Sequence, residues 1–138
     1  MTTKVKFIIH THHAKKAGVH TDVRFQKPND TKNWLSFAVR KGVPTKPGVR
    51  VLAIKTNLHS EKEALFTGEI PEGEYGAGKL EIFDKGTATI ELYKPAHIAI
   101  NFNGKKIKGL YHFINIGVSN RKKFKDNQYL LFKGGSTK

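Results

Sequence analysis

The sequence predicts an all-β fold, mainly a single small closed β-barrel of about eight strands with short helical turns. Three observations lead there. Nine short apolar or alternating runs (KFII, VHTDVRF, WLSFAV, RVLAIKT, KLEIF, ATIELY, HIAINF, LYHFINI and YLLF) alternate with turn residues, which is the rhythm of many short strands. No stretch carries the spacing of a long amphipathic helix. Finally, eight or nine strands in a chain of 138 residues protect their edges best by closing or stacking the sheet, and of these the barrel is expected.

Taken in order, KFII opens the chain, and HTHHAKKAG (10–18) follows it ahead of the second run. In VHTDVRF (19–25), side chains two apart share a face. Val19, Thr21, Val23 and Phe25 therefore point one way and His20, Asp22 and Arg24 the other. After WLSFAV comes RKGVPTKPGV (40–49), with two prolines, two glycines and three basic side chains, a loop that either solvates or grips phosphate. HSEKEAL (59–65) is expected to make one helical turn, and PEGEYGAG (71–78), with three glycines, a tight turn in which Glu72 and Glu74 serve the turn rather than forming a catalytic carboxylate pair. Asp84-Lys85-Gly86 is expected to close a hairpin between KLEIF and ATIELY. Asn103-Gly104 suits the positive-φ positions of another. Trp34, Phe37, Phe83, Phe113 and Phe132 are assigned to the core, and His97 and His112 to structural strand positions. SNRKKFKDN (119–127) reads as a basic loop and GGSTK as a frayed end.

Charge narrows the partners. Lys and Arg number 25 against 11 Asp and Glu, a formal +14 spread through the chain, which attracts polyanions and above all nucleic acid. Without cysteine, disulfides and thiolate metal sites are excluded, so any metal must be held by histidine and carboxylate. The opening apolar run is too short for a signal peptide, and no segment approaches the roughly 20 apolar residues of a membrane span. One soluble, cytoplasmic, monomeric domain over residues 1–138 is the expectation.

His10, His12 and His13 precede a strand that bears His20 and Asp22. Neutral imidazoles with a carboxylate suit manganese, zinc, iron or cobalt, and ligand type alone does not choose among them. Arg24 shares the strand face and brings a guanidinium that forks onto phosphate oxygens. The blander alternative is a histidine-rich surface loop.

HTHHAKKAGVHTDVRF, then WLSFAVRKGVP, then His59, then FTGEIPEGEYGAGKLEIFDKGT closely resembles the 3′-phosphoesterase domain of bacterial and archaeal DNA ligase D, which also occurs as a free-standing protein. The resemblance runs from about Phe7 to Lys133. It implies a compact β-barrel that uses Mn²⁺ to remove a 3′-phosphate, and to shorten a 3′-ribonucleotide end, from DNA or DNA/RNA. The 3′-OH so left serves a DNA ligase or polymerase of the same repair system. By position, His12, His20 and Asp22 match the family's metal ligands, His10 falls where a glutamine near the phosphate is usual, and Arg24, Lys41 and His59 match the phosphate-binding and catalytic set.

The chain departs from the family pattern in places. Its connection from the histidine pair to His20 is longer than usual, so His12 and His13 compete for the first ligand position. Extended geometry from KFII places His10 and His12 on one side and His13 on the other, which favours His12. Glu63 stands at a position where tyrosine is common, and Val51 where an arginine is, with Arg50 beside it facing the other way. The basic segment that precedes the barrel in ligase D is missing, which sets monoester above diester cleavage. A non-catalytic DNA-binding barrel that partners a ligase is the competing expectation.

Overall fold

The computed structural model of the protein describes residues 2–16, 18–74, 77–119 and 125–134. Parts of four sequence readings lie outside these residues: 17 of HTHHAKKAG, 75–76 of the glycine-rich turn, 120–124 of the basic loop, and the tail from 135. Ten strands form one sheet: β1 (Thr3–Ala14), β2 (Gly18–Lys27), β3 (Asp30–Val39), β4 (Arg50–Lys55), β5 (His59–Ser60), β6 (Gly68–Ile70), β7 (Gly78–Lys94), β8 (His97–Asn103), β9 (Lys108–Asn115) and β10 (Gln128–Lys133). Two short helices, α1 (Glu61–Leu65) and α2 (Ile116–Ser119), complete it. The antiparallel order β1-β2-β3-β4-β10-β9-β8-β7 returns to β1 through a β1–β7 pairing, giving the expected closed eight-strand barrel. No helix among the described residues is long and apolar enough to cross a membrane.

Alternation fills the interior. Val5, Phe7 and Ile9 of β1, Val23 and Phe25 of β2, and Leu35, Phe37 and Val39 of β3 all point inward and are buried. Phe37 sits at the centre, its ring 4.5 Å from Phe113 and 5.1 Å from Tyr129 between centroids. Tyr111 reaches the wall of the barrel and donates its hydroxyl to the Pro44 carbonyl at 2.6 Å, which ties the 40–49 loop down, and burial pushes its phenol up to about 12. Asn29 is the one non-glycine residue with positive φ among those described, and it follows Pro28 between β2 and β3, the pattern of a type II turn.

Several sequence expectations are corrected. KFII is not the whole of the first strand, because β1 continues through HTHH to Ala14. KLEIF and ATIELY are one strand, β7, so Asp84-Lys85-Gly86 makes no turn. Asp84 instead turns its carboxylate into the β8–β9 connection, where it accepts the backbone N–H groups of Lys105, Lys106 and Ile107 at 2.8 to 3.0 Å, as well as that of Lys85. Glycine is needed beside it for space: a Cβ on Gly104 would collide with that carboxylate, and one on Gly86 would lie 2.7 Å from the Asn103 carbonyl oxygen. Neither Asn103 nor Gly104 has positive φ, so the hairpin forms as a wider loop closed by Gly104 N–H to Ile107 O. Phe83 is exposed and Phe132 half-buried, whereas Trp34, Phe37 and Phe113 are core as expected.

One anion capping several backbone donors makes a sharp stability prediction. Burial alone would raise the Asp84 carboxyl, but its four backbone hydrogen bonds outweigh that and hold it below 3.8. Asp84→Ala strands buried N–H groups and is expected to cost about 2–4 kcal/mol in urea unfolding. Asp84→Asn, which keeps an acceptor but loses the charge, costs less. Because the folded-state pKa is depressed, the carboxylate's contribution is complete above about pH 3.8 and is lost as pH falls through the lower folded value. The stabilities of wild type and Asp84→Asn should therefore converge in acid. A difference unchanged at lower pH would show that the charge contributes nothing.

Candidate active site

The inward alternation of β1 and β2 leaves their even-numbered residues on the outer wall. Register then sets His10 opposite Asp22 and His12 opposite His20, with Ile8 opposite Arg24 one step along. An outer wall is normally wet, yet His10 is fully buried and Asp22 and Arg24 are 5% and 8% exposed. The cover is the segment after β4. β5 pairs with β3, setting His59 opposite Trp34, and α1 lays Ala64 against Ile8 and Trp34. A capping box starts α1: Ser60 Oγ accepts Glu63 N–H at 3.2 Å while the Glu63 carboxylate accepts Ser60 N–H at 2.9 Å. His59 is thus fixed at the mouth of the site, half-buried.

Asp22 organises the group. Its Oδ1 lies 3.0 Å from His20 Nε2, and its Oδ2 lies 3.2 Å from His12 Nδ1 and 3.5 Å from Arg24 Nη2. Arg24 is held from the other side by its Nε–H bond to Ser36 Oγ at 3.1 Å. Burial would raise the Asp22 carboxyl, but the His20 hydrogen bond and the Arg24 charge outweigh it and keep the pKa depressed. The same hydrogen bond raises His20 against the effect of burial. His10 is lowered to about 4, by burial first and the Arg24 cation second, and is neutral at pH 7. Neither ring nitrogen of His10 has a partner of good hydrogen-bond geometry among the described residues; the Phe66 backbone is a weaker polar contact. His59 is lowered by burial and then by Arg24, so its imidazole is also neutral at pH 7.

His12, His20 and Asp22 each offer one ligand atom, and these atoms lie within 4.8 Å of one another. Two imidazole nitrogens and a carboxylate oxygen converging on one buried point form a donor set that fits a divalent transition metal with positions left open. His13 points to the opposite side of β1, where its Nε2 lies 2.8 Å from the Glu81 carboxylate. Of the other sequence candidates, His10, Arg24 and His59 surround the triad. Lys41 stands exposed in the turn after β3, with no hydrogen bond or ion pair among the described residues. Arg40 comes abreast of His20 instead, following Val39, which pairs with Thr21, and its charge acts on the His20 ring. Continuing the alternation of WLSFAV by one residue is the signal that finds Arg40. Val51 faces the core, while Arg50 stacks its guanidinium 4.9 Å from the Phe132 ring centroid, away from the site. His97 and His112 lie apart from the group and pair with each other at 2.8 Å.

The chain matches the family described as the DNA Ligase D 3′-phosphoesterase domain over residues 10–115. It is 38% identical over 112 residues to the multifunctional non-homologous end joining protein LigD of Mycobacterium bovis, a match covering 78% of this chain and 14% of that protein. Against the LigD protein of Pseudomonas aeruginosa it is 30% identical over 137 residues, covering 96% of this chain and 15% of that one. The LigD protein of Mycolicibacterium smegmatis is 32% identical over 120 residues. The chain therefore spans about a seventh of the length of the curated relatives it matches.

The opposite facing of His12 and His13 predicts unequal effects on metal binding. His12→Ala should weaken Mn²⁺ affinity by at least about 10- to 100-fold, the cost known for groups one step beyond a metal's ligands, and His13→Ala should leave it within about twofold. Titration calorimetry with Mn²⁺ measures both. A His13→Ala protein that loses affinity while His12→Ala keeps it would overturn the assignment.

Proposed function

Because the chain belongs to the DNA ligase D 3′-phosphoesterase domain family, we propose that it is a Mn²⁺-dependent phosphoesterase that removes 3′-phosphates, and trims 3′-ribonucleotide ends, to leave a 3′-OH. The observation that carries this reading is the buried wall on which His12, His20 and Asp22 converge beside the Arg24 guanidinium. A hydrolase for phosphate esters needs an electrophilic centre and a fixed cation together, and a plain DNA-binding surface needs neither buried. The names of the relatives place them in non-homologous end joining, and this chain is assigned the same context, acting in the cytoplasm on DNA or DNA/RNA 3′ ends for a DNA ligase or polymerase.

His12, His20 and Asp22 would hold the ion, which when bound supplies Lewis-acid polarisation of the phosphoryl group and a water of lowered pKa. Arg24 has donors left beyond those that meet Asp22 and Ser36, and these suit non-bridging phosphate oxygens, where a fixed charge offsets what develops in the transition state. His59, neutral at pH 7, can accept a proton from the attacking water as the P–O3′ bond breaks. The water oxygen forms the new bond to phosphorus, and the electron pair of the broken bond goes to O3′, which takes a proton from solvent and leaves as the 3′-OH. Neutral His10 lines the wall without adding charge, and Arg40 and Lys41 supply cations at the rim. In the competing reading the barrel binds DNA ends without cleaving them.

A 5′-labelled primer ending in 3′-phosphate separates the two readings. The expected result is phosphate release with Mn²⁺ and none with chelator, falling by about 10²–10³ in Arg24→Ala. Tight binding without release under any divalent metal would instead establish the non-catalytic barrel. Glu63 gives a second prediction, since its carboxylate lies 3.8 Å from His59 Nδ1 and its charge reaches Arg24. Glu63→Gln keeps the capping box but removes a charge that repels phosphate, and should lower the KM for the primer by about two- to fivefold. An unchanged KM would show that Glu63 acts only as a helix cap.

A further inference from the structure

On the outer wall, beyond the Ile8–Trp34–Ala64 cluster, a cavity of about 560 Å³ opens between β1, the bend of β7, the β8–β9 turn and the end of α1. Four exposed lysines border it: Lys6, Lys85, Lys105 and Lys106. Its one carboxylate, Asp84, faces the backbone N–H groups of the turn and offers little to a ligand's cations. The apolar lining is unusual for a barrel exterior. Ile82 and Phe83 are consecutive yet 44% and 37% exposed, because the β1–β7 register slips between Ile9 and His10 and leaves Phe83 without an opposing residue. Such a bulge re-aims a side chain. Leu65, 45% exposed, adds apolar surface from the end of α1.

We propose that this groove seats the single-stranded nucleotides immediately upstream of the 3′ end, with a base on Phe83 and phosphates on the lysines. The inference rests on the reading that the neighbouring site acts at a strand's 3′ end. Charge chooses the occupant: four cations around a flat aromatic suit a polyanion that carries rings, and single-strand binders combine these two features. Position agrees. His10 and Lys6 face the same side of β1 four residues apart, roughly 13 Å along the strand. That is about four nucleotides at helical rise, and fewer if the chain is extended. The Lys106 ammonium lies 4.6 Å from the Phe83 ring centroid. A cation–π contact this exposed is weak, so the ammonium can swing to a phosphate and free the ring for a base.

The test compares two fluorescent DNA probes ending in 3′-phosphate, a dinucleotide that reaches only the site and a single strand of about ten nucleotides. Anisotropy gives the affinity of each for the full chain. Phe83→Ala should reduce the preference for the longer probe by about 5- to 100-fold. Lys6→Ala/Lys105→Ala/Lys106→Ala should lower the slope of log affinity against log salt for that probe by about 2. Phe83→Leu keeps an apolar side chain without a flat ring, guards against a folding defect, and should also lose the preference. Equal losses for the two probes, or none for the longer one, would overturn the groove assignment. Phosphate release from the dinucleotide by the wild type judges the enzymatic reading separately, since binding of the longer probe needs no turnover.

Discussion

Every feature of this protein depends on β1 being hydrogen-bonded along both edges, to β2 on one side and to β7 on the other. A strand held twice cannot slip by one residue without sending its whole apolar set to the wrong face. Val5, Phe7 and Ile9 are thereby committed to the interior, and His10 and His12 to the exterior. The same pairing closes the sheet, so the barrel has no free edge where the site is built. The chemistry then sits on the outside of a rigid wall, and its precision comes from the core behind it.

Placing charged groups under cover has a cost that the arrangement must meet locally. Asp22 is nearly as buried as the core and would be destabilised as a carboxylate if it stood alone. Two imidazoles and a guanidinium within 3.5 Å compensate it, and none of them is free to move far, since His12 and His20 are opposed in register and Arg24 is held by Ser36. A buried ion pair of this kind is poor evidence for stability, because an apolar replacement of the same shape often does as well. Its presence on an outer wall is better explained by a ligand that uses the same groups.

How much of this the sequence could reveal follows from which interactions are local. The alternation in VHTDVRF and in HTHH is a property of each strand, so the shared face of His10 and His12, and that of His20, Asp22 and Arg24, could be read directly, as could the helical turn in HSEKEAL. The Asp84-Lys85-Gly86 run was not legible, because the same residues that favour a turn here serve a turn some 20 residues away. Phe83 reads as core only because it is a large aromatic, and the bulge that leaves it exposed is set by the partner strand. Nor could the burial of the site be foreseen, since it comes from β5 and α1 folding over a wall they do not continue.

The two departures closest to the site differ in kind for the same reason. Val51 is part of the ladder: it packs in the core at 7% exposure, so a charged residue there would face the interior, and Arg50 can only stack on Phe132 outside. No adjustment of rotamers brings that arginine back to the site. Glu63 belongs to the cover, whose geometry is set by one helical turn and one cap, and its carboxylate already reaches towards His59. Changes in the cover can therefore tune charge at the site without disturbing the wall, while changes in the ladder are all or nothing. Arg40, at the end of β3 and abreast of His20, lies where the ladder gives way to a loop.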